Sequence, residues 1–263
     1  MTSYYDEIRS NNLIRLLRGL LKSGGVSLRG SDGKFIANLT PLWETPWVHT
    51  KSSYRISCYL WKEITFHEIV EKNLPRQAWF APAGCHDCFK VVVRPKTLAQ
   101  LFALERLQIR MSLPSKCGIH VTPSVFGNYG GYFYNRGLPE GLECYEKVRA
   151  EIDADPELGK DITVHLKRAC TDMENSLGSS DKWELTQEQL VLEMKISQRF
   201  VNDIPVLVQS DEAKDYVKQR WIERAFSVGD ETVSQFTGGV PLHPEYITYE
   251  HLLEKYNEEK QNA

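Results

Sequence analysis

Between residues 90 and 168 the spacing of apolar and polar positions changes period in a fixed order. Residues 90–93, Lys-Val-Val-Val, form a short apolar run that reads as a strand. Residues 97–111 take the helical period, and Pro95 and Pro114 punctuate the two ends of that segment. Strand patterns follow over 118–121 and 129–134. A second helix is expected over 138–152, with Pro139 in its first turn and an apolar stripe of Leu138, Leu142, Tyr145 and Val148. A last strand over 162–168 is bounded by Gly159 and Asp161. The order β-α-β-β-α-β is that of the split, ferredoxin-like arrangement, so the expected class is α+β with a ferredoxin-like centre.

The flanking stretches are less regular. Residues 6–22 carry Ile8, Leu13, Leu16, Leu17, Leu20 and Leu21 on helical spacing, and Gly24-Gly25 stops the pattern. Over 54–61, Tyr54, Ile56, Cys58 and Leu60 alternate with more polar neighbours, as in a half-buried strand, which makes Cys58 an interior residue. Beyond the centre the pattern is helical over 186–201, 211–226 and 249–256. Three stretches result: 1–80, an N-terminal helix with short strands; 81–175, the cysteine-bearing centre; and 176–263, a helical cap.

Composition narrows the class without naming a partner. The 263 residues can bury a sizeable core, and 41% hydrophobic with 25% charged residues is a globular balance. A formal charge of -3 gives no overall bias toward nucleic acid. The opening Met-Thr-Ser-Tyr-Tyr-Asp-Glu lacks the basic start and apolar core of a secretory signal, and no run approaches the roughly 18 apolar residues of a spanning helix. The expectation is a cytoplasmic protein that does not engage a membrane. In a reducing compartment its six cysteines read as ligands, nucleophiles or small core residues.

Cys85 and Cys88, in Gly-Cys-His-Asp-Cys-Phe-Lys, form a C-x2-C pair just before the first central strand. In the split arrangement the first two strands run together and the last two run oppositely, so starts of the first pair and ends of the second share one rim. Cys117 is expected just before the second strand and Cys170 just after the fourth, which brings Cys85, Cys88, Cys117 and Cys170 to that rim. Four thiolates suit an iron-sulfur cluster, [4Fe-4S] before [2Fe-2S], for redox transfer to a partner protein or for structural support. Cys144, early in the second helix, is the substitute ligand. The rival metal is Zn2+, because Cys117-Gly118-Ile119-His120 reads with the C-x2-C pair as a Cys3His site. The 28 residues between Cys88 and Cys117 argue against zinc, since they hold a complete helix that needs no staple.

Cations gather at the same expected rim: Lys116, Arg136, Lys167 and Arg168, with Lys90, Arg94 and Lys96 along or beyond the first strand. They suit a phosphate-bearing ligand or nucleic acid, or simply a solvated basic face. A zinc-stabilised nucleic-acid module is therefore one alternative to the cluster. A cysteine-dependent enzyme without metal, using Cys170 beside Lys167 and Arg168, is the other. The aromatic and glycine run 126–134 reads as a turn entering an aromatic strand, and Asp172 and Glu174 lie near enough to Cys170 for acid-base work. His67-Glu68 opens like a zincin motif, but position 71 is Glu rather than His.

Overall fold

The structure is a computed structural model that describes residues 18, 21–22, 26–37, 46–51, 61, 81–122, 125–200, 209–243 and 249–261. The expected helix over 6–22 falls mostly outside these residues, as do Cys58 and His67-Glu68. Of the expected strand over 54–61 only Trp61 is described, and it is helical.

The first two strands, β1 (Val26–Leu28) and β2 (Phe35–Ala37), pair antiparallel as a small hairpin. The main sheet has five strands: β3 (Trp47–His49), β4 (Cys88–Arg94), β5 (Ser115–Ile119), β6 (Tyr129–Arg136) and β7 (Thr163–Arg168). They lie in the order β3-β5-β6-β4-β7, and every neighbouring pair is antiparallel. The protein is thus mixed helix and sheet, with an antiparallel sheet at its centre. A one-turn helix, α1 (Ala83–His86), precedes β4. Helix α2 (Leu98–Met111) connects β4 to β5, and α3 (Gly137–Ala154) connects β6 to β7.

Both connecting helices lie on one face of the sheet. Thr97 caps α2 by accepting from the Gln100 amide at 3.2 Å, and Leu98, Leu101, Leu104 and Leu107 form its fully buried stripe. That stripe packs in one core with Val91, Val93, Cys117, Phe133 and Val148. Gly131 belongs to the same layer: a Cβ there would collide with the Leu104 side chain.

The strand expected over 118–121 instead occupies Ser115–Ile119. Its start is hidden in the sequence because Ser115, Lys116 and Gly118 break the apolar pattern, although Ser115 and Gly118 are buried. Pairing with β6, from Ser115 opposite Phe133 to Ile119 opposite Tyr129, supplies the backbone partners that fix the strand. Pro114 extends that pairing by accepting from the Tyr134 amide at 2.8 Å.

The C-terminal stretch is partly built into this core. After α4 (Thr171–Leu177) and α5 (Gln187–Ser197) comes α6 (Asp211–Ser227), whose Val217, Trp221 and Ala225 are buried in the same cluster as α2 and the sheet. Trp221 donates from Nε1 to the Pro46 carbonyl at 2.7 Å, and Lys218 reaches buried Glu105 at 2.7 Å. Asp230 accepts from the Leu98 amide at 2.7 Å and from the Tyr129 hydroxyl at 2.6 Å, so the segment after α6 closes the start of α2. Helix α7 (Ser234–Thr237) follows. The last helix, α8 (Glu250–Gln261), buries none of its side chains. No helix among the described residues is long and apolar enough to cross a membrane.

Edge strand β3 is held close to β5 because Gly118 has no side chain: a Cβ there would meet the Pro46 carbonyl oxygen, a backbone atom that cannot rotate away. Gly118→Ala is expected to cost about 1–3 kcal/mol of stability, measured by urea unfolding. Unchanged stability would mean that β3 moves out without loss and that its contact with β5 adds little.

Candidate functional site

Side chains alternate across a paired strand, and the register therefore sorts the chemistry-bearing residues onto two faces. Val91 and Val93 of β4, with Cys117, Phe133 and Val48, point toward α2, α3 and α6. The opposite face carries three rows. Lys90 lies between Tyr134 and Lys167; Val92 lies between Tyr132 and His165, with Lys116 and His49 continuing beyond Tyr132; Arg94 lies beside Thr163.

One end of this second face collects three of the four expected ligands. Cys85 lies in α1, Cys88 opens β4, and Cys170 follows β7 directly before α4. Ala169 joins them: its amide donates to the Cys88 carbonyl at 2.8 Å, and its side chain packs with Cys85. Its φ of +56° lies in the left-handed region, which a non-glycine residue enters at a cost and only where the surroundings hold it. This turn presents Cys170, which is half-buried, while Cys85 and Cys88 are buried.

The fourth expected ligand is elsewhere. Cys117 is the middle residue of β5, fully buried, on the face toward the helices, where burial and the Glu105 carboxylate push its thiol up. The missed start of β5 explains the error: a strand that begins three residues early carries Cys117 away from its own mouth. The same alternation separates Cys117 from His120 of the zinc alternative, because His120 lies three positions on and its ring occupies the opposite face, over Gly130. The substitute Cys144 is buried beneath α3 beside Asn135, and burial raises its thiol as well. Among the described residues, no group of three or more His, Cys, Asp or Glu side chains is placed to hold a metal ion.

Lys90 dominates the rim. It is 7% exposed, and its Nζ donates to Cys170 Sγ at 2.8 Å while lying 5.6 Å from the centre of the Tyr134 ring. Burial opposes its charge, but the sulfur of Cys170, then Tyr134 and Cys88, outweigh it and hold the ammonium above the ordinary lysine range. Lys167, its neighbour across the strands, pairs with Glu174 of α4.

The expected anion-binding set of Lys116, Arg136, Lys167 and Arg168 does not assemble. Arg168 is spent on structure, donating to the carbonyls of His86 at 2.8 Å and Ser180 at 2.7 Å. Lys116 lies over the Trp47 ring at 4.6 Å, and Arg136 is exposed at the end of β6. What assembles instead is a row of Lys90, Arg94, His165 and Lys167 on β4 and β7. Lys90, Arg94 and Lys167 were visible as cations, but His165 was not singled out. The available signal was the even spacing inside strands that pair, four residues from Lys90 to Arg94 and two from His165 to Lys167, which puts each pair on one face.

At the far end of this face Arg94 Nη1 lies 2.9 Å from His120 Nε2, and the Tyr132 hydroxyl lies 3.3 Å from the same nitrogen. Trp47 packs edge-on against both His120 and Tyr132. Burial, Arg94 and Lys116 together bring His120 down to about 4, so the ring is neutral at physiological pH and accepts from Arg94.

Because its folded value lies below the ordinary 6.5 of the unfolded chain, His120 contributes stability that is complete above about pH 6.5 and is lost as the pH falls toward 4. That contribution is on the order of 3 kcal/mol. His120→Gln, compared with the parent by urea unfolding at pH 7.5 and 4.5, should lose about 2 kcal/mol less between the two; equal losses would show that His120 is not held neutral. Comparison with family models, with curated proteins and with solved structures finds no match.

Proposed function

We propose that this chain works through the thiol of Cys170, as a cysteine-dependent enzyme whose βαββαβ centre has the split, ferredoxin-like arrangement. The strand order β5-β6-β4-β7 with its two crossover helices supports the fold reading. One observation carries the function: the ammonium of a lysine that is 7% exposed lies 2.8 Å from the Cys170 sulfur, and no carboxylate among the described residues pairs with it. A buried ammonium without a counter-ion is costly, and a thiolate is the anion in reach. The ammonium is placed to stabilise negative charge that develops on the sulfur in a reaction, and Cys170, unlike the other described cysteines, is only half-buried. Glu174 pairs with Lys167 across the rim, which leaves Lys90 to face the sulfur.

Iodoacetamide labelling followed by peptide mass analysis tests the reading. Cys170 should be alkylated ahead of Cys85, Cys88, Cys117 and Cys144 at neutral pH. Lys90→Met should slow alkylation of Cys170 about tenfold or more, the factor expected from losing a hydrogen bond to a charged group. If Cys170 reacts no faster than buried Cys117, or if Lys90→Met leaves its rate unchanged, the reading fails.

A second reading is the iron-sulfur cluster expected from the sequence, without Cys117: Cys85, Cys88 and Cys170 lie at one end of the sheet, and their side chains would have to move together to share it. Iron and sulfide analysis of protein prepared without oxygen separates the two. Stoichiometric iron and sulfide, lost in Cys88→Ser and kept in Cys117→Ser, would support the cluster. Iron-free protein with a reactive Cys170 would support the nucleophile.

A further inference from the structure

The five strands of the main sheet contain no Asp or Glu, yet Lys90, Arg94, Lys116 and Lys167 all fall on the face away from α2 and α3, together with His49 and His165. Lys167 pairs with a carboxylate, Glu174, which comes from α4 rather than from the sheet. Like charges set this close repel one another. Arg94 and Lys167 both depress the ordinary basicity of His165, after its own burial, and Lys90 and Arg94 do the same to Lys167. Arg94 is half-buried, and the partners it has are uncharged: neutral His120 and the hydroxyl of Tyr132. Arg94 and His165 have no carboxylate partner among the described residues, and a face that gathers them with Lys90 and Lys167 has a place for an anion.

Position indicates what kind. Lys90 and Arg94 are four residues apart on one strand, about 13 Å at the usual rise, with His165 and Lys167 beside them on edge strand β7. These groups are recessed, with the Lys167 side chain 20% exposed and Arg94 and His165 half-buried. A nucleic-acid backbone is better met by exposed lysines along a groove, whereas recessed cations around a planar guanidinium fork suit a compact oxyanion. Thr163, exposed and directly paired with Arg94, marks the side from which such a ligand enters.

We propose that Arg94, His165 and Lys167 form a binding site for a small molecule carrying phosphate or carboxylate groups, on the same sheet face as Cys170 but reached from the β7 edge. The site does not depend on Cys170 being reactive. It is distinct from the rim expected from sequence, since Arg136 and Arg168 take no part.

Isothermal titration of the full chain with inorganic pyrophosphate, and separately with citrate, tests it at about 50 mM salt, where screening is weak. Binding of at least one of the two is expected, with Arg94→Gln weakening it tenfold or more. Thr163→Glu, an exposed change that places a carboxylate beside Arg94, should weaken it similarly and guards against misfolding of the first variant. Lys147→Gln, on the exposed side of α3, and Cys170→Ser should bind as the parent does, and the latter keeps this test separate from that of the thiol. Absence of binding to both anions at millimolar concentration would overturn the site, as would unchanged affinity in Arg94→Gln and Thr163→Glu. Binding of a single-stranded oligonucleotide where neither small anion binds would also overturn it, and would assign the face to nucleic acid.

Discussion

The alternation of side chains along β4 governs the rest of this protein. The strand is paired on both sides, with β6 and with β7, so a one-residue slip would have to break two ladders at once. It would also turn Val91 and Val93 out of the leucine layer of α2 and put Lys90 and Arg94 into it, where the buried Glu105 already pairs with Lys218. Hydrophobic burial on one face and cation placement on the other thus require the same register. The neighbouring strands inherit it, and the separation of Cys117 from Cys88 and Cys170 is one result.

Three backbone details set up the chemistry that this register leaves on the second face. The left-handed turn at Ala169 bends the chain off β7 so that Cys170 meets the Lys90 ammonium. Gly130 makes room for the His120 ring, and Gly118 makes room for the Pro46 carbonyl and the Trp47 ring. The face therefore has a thiol end and an arginine-histidine end, with basic residues between them. Lys167 is paired with Glu174, whereas Arg94 is held by the uncharged His120 and Tyr132 and Lys90 by the sulfur of Cys170.

The helices beyond the centre divide between two tasks. Through Trp221 and Asp230, α6 and the segment after it complete the core and close the start of α2. Helix α5 closes the rim instead: Glu193 accepts from the Ala83 amide at 3.0 Å, and Gln189 donates to the Ala81 carbonyl at 2.8 Å, fixing the segment that carries Cys85. Polar residues buried for this purpose look like ordinary surface positions of a helix when read along the chain.

Most of the central order was legible in the sequence, because leucines at helical spacing between proline-marked ends leave α2 little choice, and Pro139 with its apolar stripe does the same for α3. Cys85, Cys88 and Cys170 were brought to one rim by connectivity alone, since strand direction decides which ends meet. The sequence could not show that β5 starts at Ser115, because polar and glycine residues there are fixed by pairing with β6 rather than by their own preference. Nor could it show that Cys117 and His120 face opposite ways, or that Lys90 reaches Cys170. Those follow from register and from a left-handed turn, which arise only when strands distant along the chain pair and the backbone conformation of each residue is settled by its neighbours in space.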